Sequence, residues 1–423
     1  MKYFLPVIPP LLACFCYFWL REKKPVPTII RVGYFTLLGL AFLVFFVKVA
    51  MTITNPPQYD FTAFFIWGKA GAQGLDFYLP QSLQSVFNST ALPATDYTVF
   101  KEEIVNVGFL YPPPTMLYFA PLGFLSYKSA VICWMIINVA FATGCIYLIH
   151  DQFFKKDKLV GFIFVCILFV FLKPVLDTVS FLQTNFMVLF YLLLIHKYRE
   201  SRIAGIFIVL GMFTKPFMAI FMLPFILRRK WGTVIYAALT GIVIAAITVL
   251  FFGIAPFKSY IVNSPAQRIP AWVYYEGINQ SLHAVMIRLQ LIPAGKSVLF
   301  LATAATIAVA AIGYIVLLIK KKLYDYVLPL VLLTGLLLYP GTLSYYAVSL
   351  LFIVFQFFDN GNRLRFNQQA AIVLVVVFYL LGIFSTFLNI TLLFAVVIVS
   401  SVMAMRKVNP GDTQQNVIRM MRQ

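Results

Sequence analysis

Residues 111–125 read YPPPTMLYFAPLGFL, and whether this stretch crosses a membrane decides the topology of everything after it. A spanning helix takes roughly 17 to 25 apolar residues. This run is shorter, and Pro112, Pro113, Pro114 and Pro121 each remove a backbone donor. If it crossed, the next helix would carry Lys155, Lys156 and Lys158 to the outer side. If it lies at the interface or re-enters, every strong basic cluster falls on one side: Arg21, Lys23, Lys24 and Arg31; Lys155, Lys156 and Lys158; Lys197, Arg199 and Arg202; Arg228, Arg229 and Lys230; Lys320, Lys321 and Lys322; Arg363 and Arg365; Arg406, Lys407, Arg419 and Arg422. These hold most of the 33 Lys and Arg residues. Cytoplasmic loops carry the basic excess, so the interfacial reading is selected, with the N-terminus outside and the tail, residues 405–423, inside.

The rest of the composition agrees. Of 423 residues 62% are hydrophobic and 11% charged, and the mean hydropathy is +0.91, whereas a soluble domain carries roughly 25% charged residues. The sequence predicts an all-α polytopic membrane protein, one integral membrane domain over residues 1–423. Apolar runs lie near 4–20, 30–52, 129–149, 159–172, 181–196, 203–213, 216–227, 231–253, 296–319, 324–339, 343–357, 369–385 and 389–404, giving an expectation of about 11–13 transmembrane helices, with interfacial helices in the first extracytoplasmic loop. Leu11-Leu12-Ala13-Cys14 resembles a lipidation box, but the apolar run at 4–20 continues past it and stops only at Arg21-Glu22-Lys23-Lys24, so it reads as a retained helix. The net charge of +19 lies in clusters between apolar runs, so it reads as topology and not as a nucleic-acid surface. Cys14, Cys16, Cys133, Cys145 and Cys166 all lie in apolar segments without a CxxC pair and read as small core residues.

In this orientation both long hydrophilic connections, 53–128 and 254–295, face outward, and the cytoplasmic loops are short. No Gly-rich phosphate loop occurs. Chemistry on the outer face of a plasma (inner) membrane lacks a nucleotide supply, so an activated substrate would arrive by way of the lipid.

The first outer loop opens with QYDFTAFFIWGKA, residues 58–70. Asp60 stands there between Tyr59 and Phe61, with Phe64, Phe65 and Trp67 at helical spacing. A carboxylate in an aromatic, partly dry setting has a raised pKa and can act as a base toward a hydroxyl. The plainer alternative is a helix N-cap or a solvated loop acid. Lys215, in FTKPF between two half-length apolar runs, is an isolated lysine at a helix break and suits an anion; its alternative is a lysine snorkelling from a helix end.

In order and spacing, QYDFTAFFIWGKAGAQGLDFY, FLYPPPTMLYFAPLGFL followed by Trp134, LQTNFMVLFYLLL, IAGIFIVLGMFTKPFMAIFMLPFILRRKW and INQSLHAVMIRL resemble glycosyltransferase family 87 over about residues 30–360. The resemblance implies a GT-C glycosyltransferase architecture and a polyprenyl-phosphate-mannose-dependent mannosyltransferase of the cell envelope. It implies Asp60 as the general base that deprotonates the acceptor hydroxyl, with the donor sugar attacked with inversion and the lipid phosphate leaving. One carboxylate suffices for a single displacement; Asp76, the nearest second acid, reads as a turn residue after Gly74. Gln183 and Asn185 match the family's polar pair at the top of a helix. Candidates for the donor's phosphate or sugar are Lys215, Gln183, Asn185, Asn279, Gln280, His283, Arg288 and Arg268, with Lys258 as an alternative, and the cleft aromatics are Tyr59, Tyr78, Tyr111 and Tyr345 with Tyr346. The turn YPGTLSYY, residues 339–346, departs from the family in lacking a His or carboxylate. No DxD metal site is present, so no metal or cofactor is expected. The expected partners are a polyprenyl-phosphate sugar donor, a glycolipid or glycan acceptor and membrane lipids. A transporter or flippase of lipid-linked sugars would want charges at mid-membrane, and apart from Lys173 and Asp177 the spans carry few. A polysaccharide polymerase or ligase would lean on arginines in the outer loop, yet residues 53–128 hold Lys69, Lys101 and Lys128 and no arginine.

Overall fold

Apolar segments that cannot offer their backbone groups to water satisfy them internally as helix, and each of the thirteen runs is helical over most of its length. The computed structural model describes residues 7–21, 27–56, 60–92, 98–155, 158–262, 272–293, 297–358 and 368–407. The chain opens with α1 (Ile8–Arg21) and α2 (Thr28–Thr54). The first long connection holds α3 (Asp60–Ala72), α4 (Pro80–Ser89), α5 (Thr98–Val107) and the four-residue α6 (Met116–Phe119). Then come α7 (Tyr127–Ile149), α8 (Lys158–Phe171), α9 (Lys173–Ser180), α10 (Asn185–Lys197), α11 (Ala204–Thr214), α12 (Leu223–Leu227) and α13 (Trp231–Phe252). The second connection holds α14 (Ala255–Val262), α15 (Trp272–Tyr275) and α16 (Leu282–Arg288), before α17 (Val298–Lys320), α18 (Val327–Leu338), α19 (Leu351–Gln356), α20 (Gln368–Phe384) and α21 (Thr386–Lys407). Among the described residues there is no strand, only one isolated bridge between Asn279 and Leu343.

Five helices are by themselves long and apolar enough to cross a membrane: Thr28–Thr54, Tyr127–Phe154, Trp231–Phe252, Val298–Lys320 and Thr386–Arg406. The pair α8 and α9 makes a sixth if counted as one span bent by 64°. The bend falls at Leu172, the extended N-cap of α9 at φ −74° and ψ 119°, with Pro174 in the first turn, where its missing N–H costs no helical hydrogen bond. The other apolar runs form helices of 10–17 residues, so the protein is built partly from half-length elements.

Exposure separates two kinds of helix. On α2 only Tyr34, Ala41 and Thr52 are buried, and α13 and α17 likewise expose Leu250, Phe251 and Val298, apolar all round as a lipid-facing helix must be. Helices α10 and α18 are buried on nearly every side and form the centre. Polar groups in the lipid-facing helices bond within their own turn: Thr52 donates to the carbonyl of Lys48 and Thr248 to that of Ile244.

Two close approaches fix the first connection over this centre. Its proline-rich part is a broken run, 3₁₀ over Pro113–Thr115, α6, then 3₁₀ over Ala120–Phe124. It lies directly on α3 because both backbones lack a side chain at the crossing. A methyl on Gly68 would come within 2.3 Å of the Phe119 carbonyl oxygen, and one on Gly123 within 2.5 Å of Lys69 Cα. Thr115 Oγ1 then donates to the carbonyl of Phe213 at 2.5 Å, tying the broken run to the end of α11.

Candidate active site

The site forms where the ends of α10 and α11 meet the first connection. Between α9 and α10 the chain turns sharply: Leu182 adopts a left-handed φ of +51°, a conformation that costs a branched residue free energy and persists where the surroundings impose it. Trp134 on α7 imposes it here, its indole Nε1 donating to the Leu182 carbonyl at 2.7 Å, while Gln183 N bonds back to Thr178 O at 3.0 Å. The turn therefore presents Gln183 and Thr184 from a fixed backbone. Asn185 Nδ2 donates to Thr178 Oγ1 at 3.2 Å and closes the same corner.

Asp60 opens α3, where a carboxylate also favours the positive end of the helix. Its carboxylate accepts a hydrogen bond from the Gln183 side chain and lies in the field of Lys215. It is partly open to solvent, yet enclosed closely enough that desolvation raises its pKa to about 6 in spite of both partners. Along α3, Phe64 and Trp67 follow Asp60 at i+4 and i+7 and so share its face. Phe64 stacks on Phe119 with centroids 4.5 Å apart and meets Tyr111 at 6.1 Å.

Lys215 occupies the extended break between α11 and Pro216, at φ −147° and ψ 117°. It is 1% exposed. Its ammonium donates to Tyr111 Oη at 3.1 Å and sits 5.3 Å from the Tyr111 ring centroid and 4.5 Å from that of Tyr346, a cation held by aromatic faces. Burial draws its pKa down to about 7, with the Asp60 charge opposing. Among the described residues no carboxylate forms an ion pair with Lys215, and no base forms one with Asp60. Around Lys215 the rings continue, Tyr346 stacking on Phe217 at 5.9 Å and on Tyr339 at 6.4 Å. Tyr345 packs 5.9 Å from Phe181, beside the turn that carries Gln183. Tyr78 is buried and donates to the Tyr111 carbonyl, so it holds Tyr111 in place from behind.

Three buried polar atoms at this site have no hydrogen-bond partner: Gln183 Oε1, Thr184 Oγ1 and Trp67 Nε1. Such atoms are rare in folded proteins and call for an occupant or a role. Thr184 and Trp67 were not among the sequence candidates; the one available signal was the helical spacing of Trp67 from Asp60.

The second connection is used differently. Asn279 donates to the Pro340 carbonyl at 3.0 Å and accepts from Ser281 N and Oγ. Gln280 donates to Gly277 O and accepts from Ser385 Oγ at 2.7 Å and Phe387 N at 3.2 Å. Arg288 donates to the carbonyls of Tyr274, Glu276 and Asn279. His283 packs between Tyr274 and Phe300, 4.9 and 4.3 Å away, in a separate apolar cluster. Asn279 thus ties the connection to the turn at 339–346 and Gln280 ties it to the start of α21, while Arg288 braces the connection internally and His283 packs toward α17. Asp76 accepts from Tyr78 N at 3.0 Å and Ser259 Oγ at 2.5 Å, a turn residue that also ties down α14. Tyr59 and Arg268 lie outside the described residues.

A multi-pass helical membrane protein with one carboxylate and one buried cation facing each other at a single end of its helices is thus the class that fold and site define. The family model of glycosyltransferase family 87 matches residues 109–343, more than half of the chain, and the chain belongs to that family. Tyr111, Gln183, Thr184 and Lys215 fall within the match; Asp60, Trp67 and Tyr78 precede it, and Tyr345 and Tyr346 follow it. No curated protein and no solved structure matches the chain.

Proposed function

We propose that this glycosyltransferase is of the GT-C architecture and moves a hexose, mannose as the first choice, from a polyprenyl-phosphate donor to a hydroxyl of a glycolipid or glycan acceptor, with inversion and on the extracytoplasmic face. The observation that carries the reading is the placement of Asp60 and Lys215, each held without an ion-pair partner, at the end of the helices opposite the basic clusters. Burying charge is costly unless it is compensated, and a substrate that brings both a hydroxyl and a phosphate compensates both groups at once.

In this reading Asp60 takes the proton of the acceptor hydroxyl as that oxygen attacks the anomeric carbon. The bond from that carbon to the phosphate oxygen breaks on the opposite face, and the electron pair leaves with the lipid phosphate beside Lys215. With a pKa of about 6 Asp60 is mostly ionised near neutral pH and still basic enough to share a proton in the transition state. Lys215, eased toward neutrality by burial, regains its charge as the phosphate arrives, because a nearby opposite charge favours the ionised form. Gln183 orients the carboxylate through one end of its amide, leaving Oε1 for a sugar hydroxyl, and the rings of Tyr111, Tyr339 and Tyr346 supply faces for the sugar and the start of the lipid.

The test is transfer from radiolabelled polyprenyl-phosphate-mannose to extracted membrane glycolipids by the purified protein in nanodiscs, wild type against Asp60→Asn. The expected result is transfer by wild type alone, with donor still bound by the variant. Transfer retained by Asp60→Asn removes Asp60 from the mechanism. Donor bound but never transferred by wild type sinks the mannosyl-transfer reading.

A further inference from the structure

At the other end of α10 and α12 the side chains of Arg199, Pro224, Phe225, Arg228, Tyr324, Val327 and Leu328 line a shallow, partly open cleft. Its floor is apolar and its rim carries two guanidiniums from different parts of the chain. Arg228 lies flat on Tyr324, 4.1 Å from the ring centroid, and bonds both oxygens of Glu200 through Nη2 at 3.0 and 3.1 Å. Arg199 uses Nη1 on His196 Nε2 at 2.9 Å and Nη2 on Asp325 at 2.8 Å. His196 is turned in by Gln152, whose Oε1 lies 2.8 Å from its Nδ1, so Arg199 is held from behind by a neutral group. Lys230 adds a third cation, bonded to Glu200 and to the Arg199 carbonyl at 3.1 Å. The cleft's own charges are therefore Arg199 and Arg228, with Asp325, Glu200 and Lys230 bonded around them and Arg202 and Arg229 near in the chain.

We infer that this cleft binds the phosphate of an anionic phospholipid, with the guanidiniums of Arg199 and Arg228 on the headgroup. Three observations agree on that occupant. The excess charge is positive and is presented by arginine, whose planar fork matches phosphate oxygens. The carboxylate in the way, Glu200, has a side chain 62% exposed and can turn outward. The cleft lies at the ends of apolar helices, among the basic clusters that place it at the membrane surface, where basic pockets between helices hold anionic headgroups. This site is separate from the Asp60 cleft and does not depend on the transfer chemistry proposed there.

Native mass spectrometry of protein released from mixed phosphatidylglycerol and phosphatidylcholine membranes tests the assignment. Wild type is expected to keep phosphatidylglycerol in preference to phosphatidylcholine, and Arg228→Gln to keep it about tenfold less well, the loss of one charge-assisted bond pair. Glu200→Gln moves the result the other way: it leaves Arg228 with only the lipid to bond, so retention is expected to rise. A merely structural role for the Arg228 and Glu200 pair leaves retention unchanged in both variants, and that result overturns the proposal. Glycerol 3-phosphate and inorganic phosphate, added to protein in pure phosphatidylcholine nanodiscs, form the second arm. Thermal protection by either, equal to that from phosphatidylglycerol, assigns the cleft to a free phosphate and overturns the lipid.

Discussion

The two ends of α10 handle charge in opposite ways. At its C-terminal end Lys197 pairs with Asp151 at 2.9 Å, Arg199 with Asp325 at 2.8 Å, and Arg228 and Lys230 share Glu200. All are at least partly exposed, and such pairs are worth about 0–1 kcal/mol each. Near its N-terminal end Asp60 and Lys215 are enclosed by rings and joined to neutral donors and acceptors. The first arrangement asks little of the fold and contributes little. The second costs stability, and the proposed substrate, which brings a hydroxyl and a phosphate, would offset that cost.

Asp60→Asn makes the hardest test of this contrast. Removing the base is expected to lower transfer by about 10²–10⁴-fold with the melting temperature unchanged or raised, since a desolvated charge goes with it. Lys215→Met comes next: transfer falls by about 10²–10³-fold with the loss of a cation at the leaving group, and the apparent KM for donor rises. Stability holds or increases by about 1 kcal/mol, as when buried charges give way to apolar groups of similar volume. A large loss of stability in Lys215→Met would make Lys215 a group that holds the fold together and end the contrast.

The pH profile sharpens it. Transfer is expected to rise with pH through about 6 and then level, following ionisation of Asp60. Stability runs the other way. The carboxyl binds its proton more tightly in the folded chain than at its ordinary value of 3.8, so its contribution is present at low pH and is lost as pH rises through about 6. Wild type measured against Asp60→Asn by thermal unfolding from pH 4 to 7 should show that decline. In Gln183→Leu the carboxylate loses its donor, so the acid limb of the rate moves to higher pH and transfer at pH 6 drops about fivefold to tenfold; an unmoved limb separates Gln183 from Asp60. The smallest effect belongs to the other end, where Glu200→Gln is expected to change stability by less than about 1 kcal/mol.

Helix position was legible because it depends on a local quantity. The run expected at 203–213 is α11, Ala204–Thr214, and the run at 216–227 is Pro216–Leu227; apolar length between charged or proline-bearing breaks is enough to place such elements. Helix length was less so: several expected spans are half-length pieces, because a run of apolar residues does not reveal where a break such as Leu172 will bend it.

The sequence by itself determined that the chain is a helical membrane protein of glycosyltransferase family 87, and it marked Asp60 and Lys215 as charges in unusual company. Tertiary structure alone decided which of the polar candidates stand with them. Lys215 meets Tyr111, 104 residues away, because Gly68 and Gly123 let the broken run lie on α3 and Thr115 ties that run to α11. Gln183 reaches Asp60 because Trp134 holds Leu182 in a left-handed turn, whereas Asn279, Gln280 and Arg288 bond to the backbone and side chains around them. Residue type fixes which bonds a side chain can make; only packing decides whether the partner nearest to it is the protein or is left to the substrate.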